Sequence, residues 1–190
     1  MTDYREQISR YIAMEKEVLD SLDSGEISRV MNVLEEARLS GKRIFICGNG
    51  GSASTSSHLE CDFNKGISYG QEIKYDIECL SDNVPMMMAI ANDISYDDIF
   101  VVPLRNKLKK GDIVIGISGS GNSTNVVKAF EYANGLGADT IALTGYSGGR
   151  LKEIGKYGIH VAVDNMQIVE DVHLVLNHMM MFILSGMKGC

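Results

Sequence analysis

Beyond Gly41 the chain alternates between two hydrophobic periods, and this alternation limits the folds open to it more than any other feature. Short apolar runs rich in β-branched residues, at 43–47, 73–80, 112–117, 140–144 and 158–163, read as buried strands. Between them the spacing predicts helices at 52–64, 84–92, 96–109, 123–135 and 149–154, with a long last helix at 166–184. Strands apolar on both faces and separated by helices imply a five-stranded parallel sheet with helices on both faces, an α/β fold.

The first forty residues carry no strand signal. Tyr4, Ile8, Tyr11, Ile12, Val18, Leu19 and Leu22 recur at helical spacing until Asp23-Ser24-Gly25 interrupts them. Ile27, Val30, Met31, Leu34 and Ala37 repeat the pattern until Ser40-Gly41 ends it. The expected organisation is one domain over 1–190, with N-terminal helices at 1–40 and an α/β core at 41–190. Two prolines and no repeat or low-complexity run argue against a linker.

A net charge of −7 with no basic patch excludes a nucleic-acid surface. An anionic substrate would have to be held by backbone N–H groups and hydroxyls. Cys47, Cys61, Cys79 and Cys190 form no C-x-x-C pair and read as reduced thiols. The start of the chain lacks a signal-peptide core, and no run approaches the ~18 apolar residues of a membrane span. A cytoplasmic location with no membrane partner is therefore expected.

In parallel sheets ligands bind at the carboxyl ends of strands, so the residues following each strand matter most. The first strand runs into Cys47-Gly48-Asn49-Gly50-Gly51-Ser52, and the third into Ile117-Ser118-Gly119-Ser120-Gly121-Asn122-Ser123. Both segments leave a strand and open a helix. Glycines let the backbone approach an anion, and the helix start offers free N–H groups at the positive end of its dipole. Serine hydroxyls add donors. This is phosphate-binding chemistry. Neither loop fits a P-loop or a dinucleotide fingerprint.

His58 and Asp62 stand four apart on one helix face, and the last helix carries Glu170, His173 and His178. Imidazoles with carboxylates suit Zn²⁺ or another borderline divalent metal. Glu170 and His178 lie roughly 12 Å apart along a helix axis. Only long side chains reaching toward each other could share one ion. Glu170 with His173, or no ligand on this helix, are the alternatives. His160 falls on an expected strand and reads as structural. Met86, Met87 and Met88 read as packing residues; Tyr69, Tyr75 and Tyr96 could flank a ligand, but core or interface packing is the commoner role.

Gly48-Asn49-Gly50-Gly51-Ser52 with His58 resembles the sugar isomerase (SIS) family, specifically the phosphoheptose isomerases. So do Asn92-Asp93 with Asp98-Ile99-Phe100, the serine loop at 116–123, and Leu143-Thr144-Gly145. The resemblance implies a flavodoxin-like sheet with an added N-terminal helical layer, assembled as a homotetramer with active sites at subunit interfaces. It implies conversion of D-sedoheptulose 7-phosphate to D-glycero-D-manno-heptose 7-phosphate, with a zinc ion as cofactor. By matching position, Ser52, Ser118, Ser120 and Ser123 would hold the phosphate, with Gly50, Gly51 and Gly119 shaping the two loops. Asn49 and Asp93 would face the sugar. The metal positions fall on His58, Asp62, Glu170 and His178, and Glu170 would also border the substrate. Asp62 would be the catalytic base and His178 the acid. Four positions depart from the family pattern: Asp62 replaces a glutamate, Glu170 a glutamine, Gln167 an aspartate and Gly119 a threonine. Those departures keep an isomerase of another phosphosugar open, beside a non-catalytic SIS protein.

Overall fold

The structure is a computed structural model and describes residues 2–186. Cys190 lies outside the described residues. The strands are β1 (Ile44–Gly48), β2 (Ile77–Cys79), β3 (Ile113–Ser118), β4 (Asp139–Thr144) and β5 (Tyr157–His160). They form one all-parallel sheet in the order β2-β1-β3-β4-β5. This is the flavodoxin-like order, with its switch point between β1 and β3. Helices α1 (Arg5–Asp20) and α2 (Ser24–Leu39) precede the sheet. α3 (Gly51–Cys61), α4 (Val84–Asp93), α5 (Val101–Lys107), α6 (Thr124–Leu136), α7 (Gly149–Ile154) and α8 (Met166–Leu184) follow in turn.

The pleat sends alternate side chains to opposite layers. Ile44, Ile46, Ile113, Ile115, Ile141 and Leu143 pack with α2, α3 and α8. Phe45, Cys47, Val114 and Ala142 pack with residues of α4, α5, α6 and α7. α1 contributes no buried residue and lies over α8, where the Tyr11 hydroxyl donates to Asp171. Beside this packed face Tyr4, Ile8 and Ile12 are exposed. No described helix is long and apolar enough to cross a membrane.

Three elements depart from the sequence expectation. The run at 73–80 pairs with β1 only through Ile77–Cys79. Upstream, Tyr75 N donates to Ser68 Oγ and Ile73 O accepts from Arg38, so side chains take those backbone groups. The run at 96–109 splits into a 3₁₀ turn (Tyr96–Asp98) and α5. Pro103 fits only the first turn of a helix, which forces α5 to begin close before it. The helix at 52–64 becomes α3 followed by a π-helical turn, Asp62–Ile67, beginning at an expected site residue. Such turns occur frequently at functional sites.

Candidate active site

Both glycine–serine loops end up side by side, because β1 and β3 are neighbours in register from Ile44↔Ile113 to Gly48↔Ile117. Their starting helices, however, are electrostatically different. At the start of α6, Ser123 is the N-cap, but its Oγ pairs with Ser118 Oγ at 2.9 Å rather than capping the helix. Ser120 Oγ accepts from Asn122 N at 3.2 Å. Gly121 has φ +68°, and a Cβ there would lie 1.8 Å from Gly148 O, so only glycine fits. This loop leaves the positive end of α6 free of any carboxylate cap.

The start of α3 is already occupied. A Cβ on Gly51 would lie 2.4 Å from Glu170 Oε1, so the Glu170 carboxylate rests against the first residue of that helix. A carboxylate there is favourable to the helix by about 0.3–1 kcal/mol, and it opposes a second anion. Ser52 is buried at this end. The expected equivalence of the two loops thus breaks: the start of α6 is free of any carboxylate, and α3 presents a serine and a carboxylate.

Further along α3 and α8, three expected ligands meet. His58 Nε2 and His178 Nε2 face each other at 3.3 Å, with ring centroids 4.9 Å apart at 71°. Asp62 Oδ2 lies 3.4 Å from His58 Nε2 and 3.9 Å from His178 Nε2. Asn177 Nδ2 donates to the same oxygen at 2.8 Å and fixes the carboxylate. The donor atoms all lie within 4.8 Å of one another. Two imidazole nitrogens aimed at one spot beside a carboxylate form a donor set that fits a borderline divalent cation. Glu170 does not join them: it lies two turns earlier on α8, and its carboxylate is at Gly51. The Asp62 side chain is 13% exposed, whereas His58 and His178 are 43% and 53% exposed, so the group opens to solvent on one side.

The other expected residues fall as follows. Asp93 ends α4, exposed, and accepts from Asn92 Nδ2 at 2.7 Å; no hydrogen bond ties it to either loop. His173 is buried at 1% exposure with neither ring nitrogen partnered, and burial pushes its pKa down to about 4. It faces the sheet, not the ligand group, in keeping with a structural role. His160 Nδ1 meets Thr144 Oγ1 at 3.1 Å, and burial followed by Lys152 lowers its pKa. Gly119 has a physical reason to depart from threonine: a Cβ there would lie 2.6 Å from Met166 Sδ. Glu60, Cys79 and Asp82 also gather, but burial drives the Cys79 thiol up to about 12, which keeps it a protonated, weak ligand.

Sequence reasoning missed Asn125 and Asn177, both buried. The only available signal was an amide at a core-facing helical position, which has no purpose there without a partner.

The family profile described as SIS domain matches residues 3–145. A probable phosphoheptose isomerase of Thermoplasma volcanium is 33% identical over 179 residues, covering 94% of this chain and 91% of the relative. A phosphoheptose isomerase of Helicobacter pylori is 35% identical over 183 residues, covering 93% and 90%. The solved phosphoheptose isomerase of Neisseria gonorrhoeae superposes with a TM-score of 0.87 at 26% identity, over 97% of this chain and all of that one. With the flavodoxin-like order and the serine loops in register, the chain belongs to the SIS domain family and stands among its phosphoheptose isomerases.

Proposed function

We propose that the protein interconverts D-sedoheptulose 7-phosphate and D-glycero-D-manno-heptose 7-phosphate. The observation that carries this reading is the meeting of Asp62 with two imidazoles, one carried by α3 and one by α8. The relatives' names support the class of sugar.

Phosphate would sit at the open start of α6, on Ser118, Ser120 and Ser123, where the dipole and hydroxyls favour an anion. Ser52 and Asn49 would contact the sugar, with Glu170 accepting from a hydroxyl. Anchoring the phosphate holds the ketose end near Asp62 and His178. Asp62 takes the proton from C1, and the C1–H electron pair forms the C1=C2 bond of an enediolate. His178 gives a proton to the C2 oxygen. Asp62 then returns its proton to C2 while the C1 hydroxyl proton passes back to His178, leaving an aldehyde at C1. C1 is oxidised as C2 is reduced, so no external redox partner is needed.

His58, Asp62 and His178 would hold Zn²⁺ or a similar ion, which when bound would supply Lewis-acid polarisation of the sugar oxygens and take the place of the His178 proton at the C2 oxygen, since a metal-bound Nε2 carries none. Asn177 keeps the Asp62 carboxylate oriented in either case. The one-sided opening of this group, with exposed Tyr4, Ile8, Ile12, Phe182 and Ile183, supports a homo-oligomer in which a neighbour covers the site. A tetramer is the assembly we favour. Free Cys47, Cys61 and Cys79 support a cytoplasmic location.

A second reading, isomerisation of a different phosphosugar, is favoured by one observation: Glu170, which stands where the family has glutamine, lays its carboxylate against Gly51 at the start of α3. Incubation with sedoheptulose 7-phosphate followed by proton NMR separates the readings. New aldose anomeric signals are expected. Their absence in metal-loaded protein, with product from another ketose phosphate, would transfer the reaction to that sugar.

A further inference from the structure

Asn49 sits where β1 hands over to α3, and its amide is held on both ends. Its Oδ1 accepts from Tyr96 Oη at 2.9 Å and from Asn125 Nδ2 at 3.0 Å. Its Nδ2 donates to Asn125 Oδ1 at 2.9 Å. Asn125 is 2% exposed, and its Oδ1 also accepts from Val126 N at 2.9 Å, in the first turn of α6.

These contacts settle which way each amide points. A backbone N–H can only donate, and Val126 N–H is shared between Ser123 O at 3.0 Å and Asn125 Oδ1 at 2.9 Å, which places the oxygen of Asn125 toward it. Asn125 then offers Nδ2 and Oδ1 in a fixed order, and Asn49 must answer in the opposite order. Tyr96, meeting an oxygen, donates its hydroxyl proton. An amide oxygen accepts two hydrogen bonds and an amide nitrogen donates two. The oxygen of Asn49 is therefore fully used, and one N–H of Asn49 is left over.

From this we propose that Tyr96 and Asn125 are positioning residues that make Asn49 a donor-only contact for a sugar oxygen. The inference rests on the proposed isomerase reading and adds to it a selection rule at this site. A hydroxyl, carbonyl or phosphate oxygen is accepted opposite Asn49, and a group that can only donate, such as a protonated amino sugar, is refused. Three segments distant in sequence converge here: the β1–α3 loop, the 3₁₀ turn at Tyr96–Asp98 and the start of α6. The sugar contact is thereby tied to the same helix start that offers the open anion site.

Tyr96 carries the decisive test because it is 59% exposed. A half-exposed hydroxyl contributes little to folding, so Y96F removes one hydrogen bond with a small effect on stability. Asn49 lies at the opposite end of α3 from Asp62, away from the reacting carbons. Loss of its orientation should thus appear in KM. For Y96F we expect kcat/KM to fall about three- to tenfold, carried mainly by KM, with the melting temperature held within a few degrees. N125D should fall further, because a carboxylate oxygen would then face Asn49 Oδ1. A crystal structure of ligand-free N125D should show the Asn49 side chain moved off the position it holds against Asn125, because both hydrogen bonds of that pair cannot then form. An Asn49 side chain in N125D superimposable on that of the unaltered protein, or a KM for Y96F within twofold of it, overturns the proposal. The crystallographic readout does not depend on which sugar is turned over, so failure of the heptose reading and failure of this inference remain distinguishable.

Discussion

The buried His173 makes stability depend on pH in a window that the rest of the protein can be used to calibrate. Its imidazole is 1% exposed, its nitrogens have no partners, and burial lowers its pKa from 6.5 to about 4. The folded state therefore holds this residue neutral at pH values where the unfolded chain protonates it. The unfolded state then binds more protons, and stability rises with pH between those two values. Above pH 6.5 the residue imposes no penalty; the loss grows as pH falls and levels off below pH 4. At about 1.4 kcal/mol per pH unit, the full effect is about 3 kcal/mol, of which about 2 kcal/mol is felt at about pH 5. For a chain of this length about 2 kcal/mol corresponds to roughly 4–8 °C in Tm.

The perturbation is His173→Leu, which keeps similar volume and removes the titration. Wild type and variant are melted at about pH 7.5 and about pH 5, at one protein concentration because assembly adds its own stability. Groups elsewhere titrate alike in both proteins and cancel in the difference between them. The variant should gain roughly 4–8 °C on wild type in going from the higher to the lower pH. A difference that stays constant between the two pH values would refute the burial argument, whatever its size.

Asp62→Asn should lower isomerase turnover by about 100-fold or more, as expected for loss of a general base; near-normal turnover would remove Asp62 from that role. Stripping divalent ions with a chelator should abolish activity and its restoration by Zn²⁺ should be complete; activity unchanged by chelation would remove the ion from the mechanism. Glu170→Gln should tighten binding of inorganic phosphate, measured by calorimetry at low salt, since it removes the carboxylate resting on Gly51; the gain should shrink as salt is raised. Gly119→Thr should raise KM and lower Tm, because its Cβ would meet Met166 Sδ at 2.6 Å; a variant with unchanged values would show that Met166 moves freely.

Much of the fold can be read from the sequence because its strands are buried on both faces. Runs such as Ile113–Ser118 have no helical alternative at that length, and their glycine–serine exits mark the ligand side. What escaped were features decided by side chains competing for backbone groups. β2 is shorter than its apolar run because Ser68 and Arg38 capture the preceding residues, while Asn64 and Glu60 satisfy its outer edge. The π-helical turn at Asp62 has no periodicity of its own to detect over six residues. For the site, spacing correctly warned that Glu170 and His178 are far apart, and the structure places their side chains at opposite ends of α3. Spacing could not show that Glu170 would neutralise one of two similar loops, because that depends on how α8 lies across α3. Asn125 and Asn177 escaped for a simpler reason: a single amide in a helix has no pattern until its partners, Asn49 and Asp62, are known.

The central claim is that one molecule of substrate spans the open start of α6 and the His58–Asp62–His178 group. A crystal structure with sedoheptulose 7-phosphate tests it most directly. Phosphate density on Ser118, Ser120 and Ser123, with C1 and C2 of the same molecule beside Asp62 and His178, is the result required. Phosphate bound at Gly51 against Glu170, or a sugar whose first two carbons lie away from both residues in the protomer and its neighbours, would contradict it.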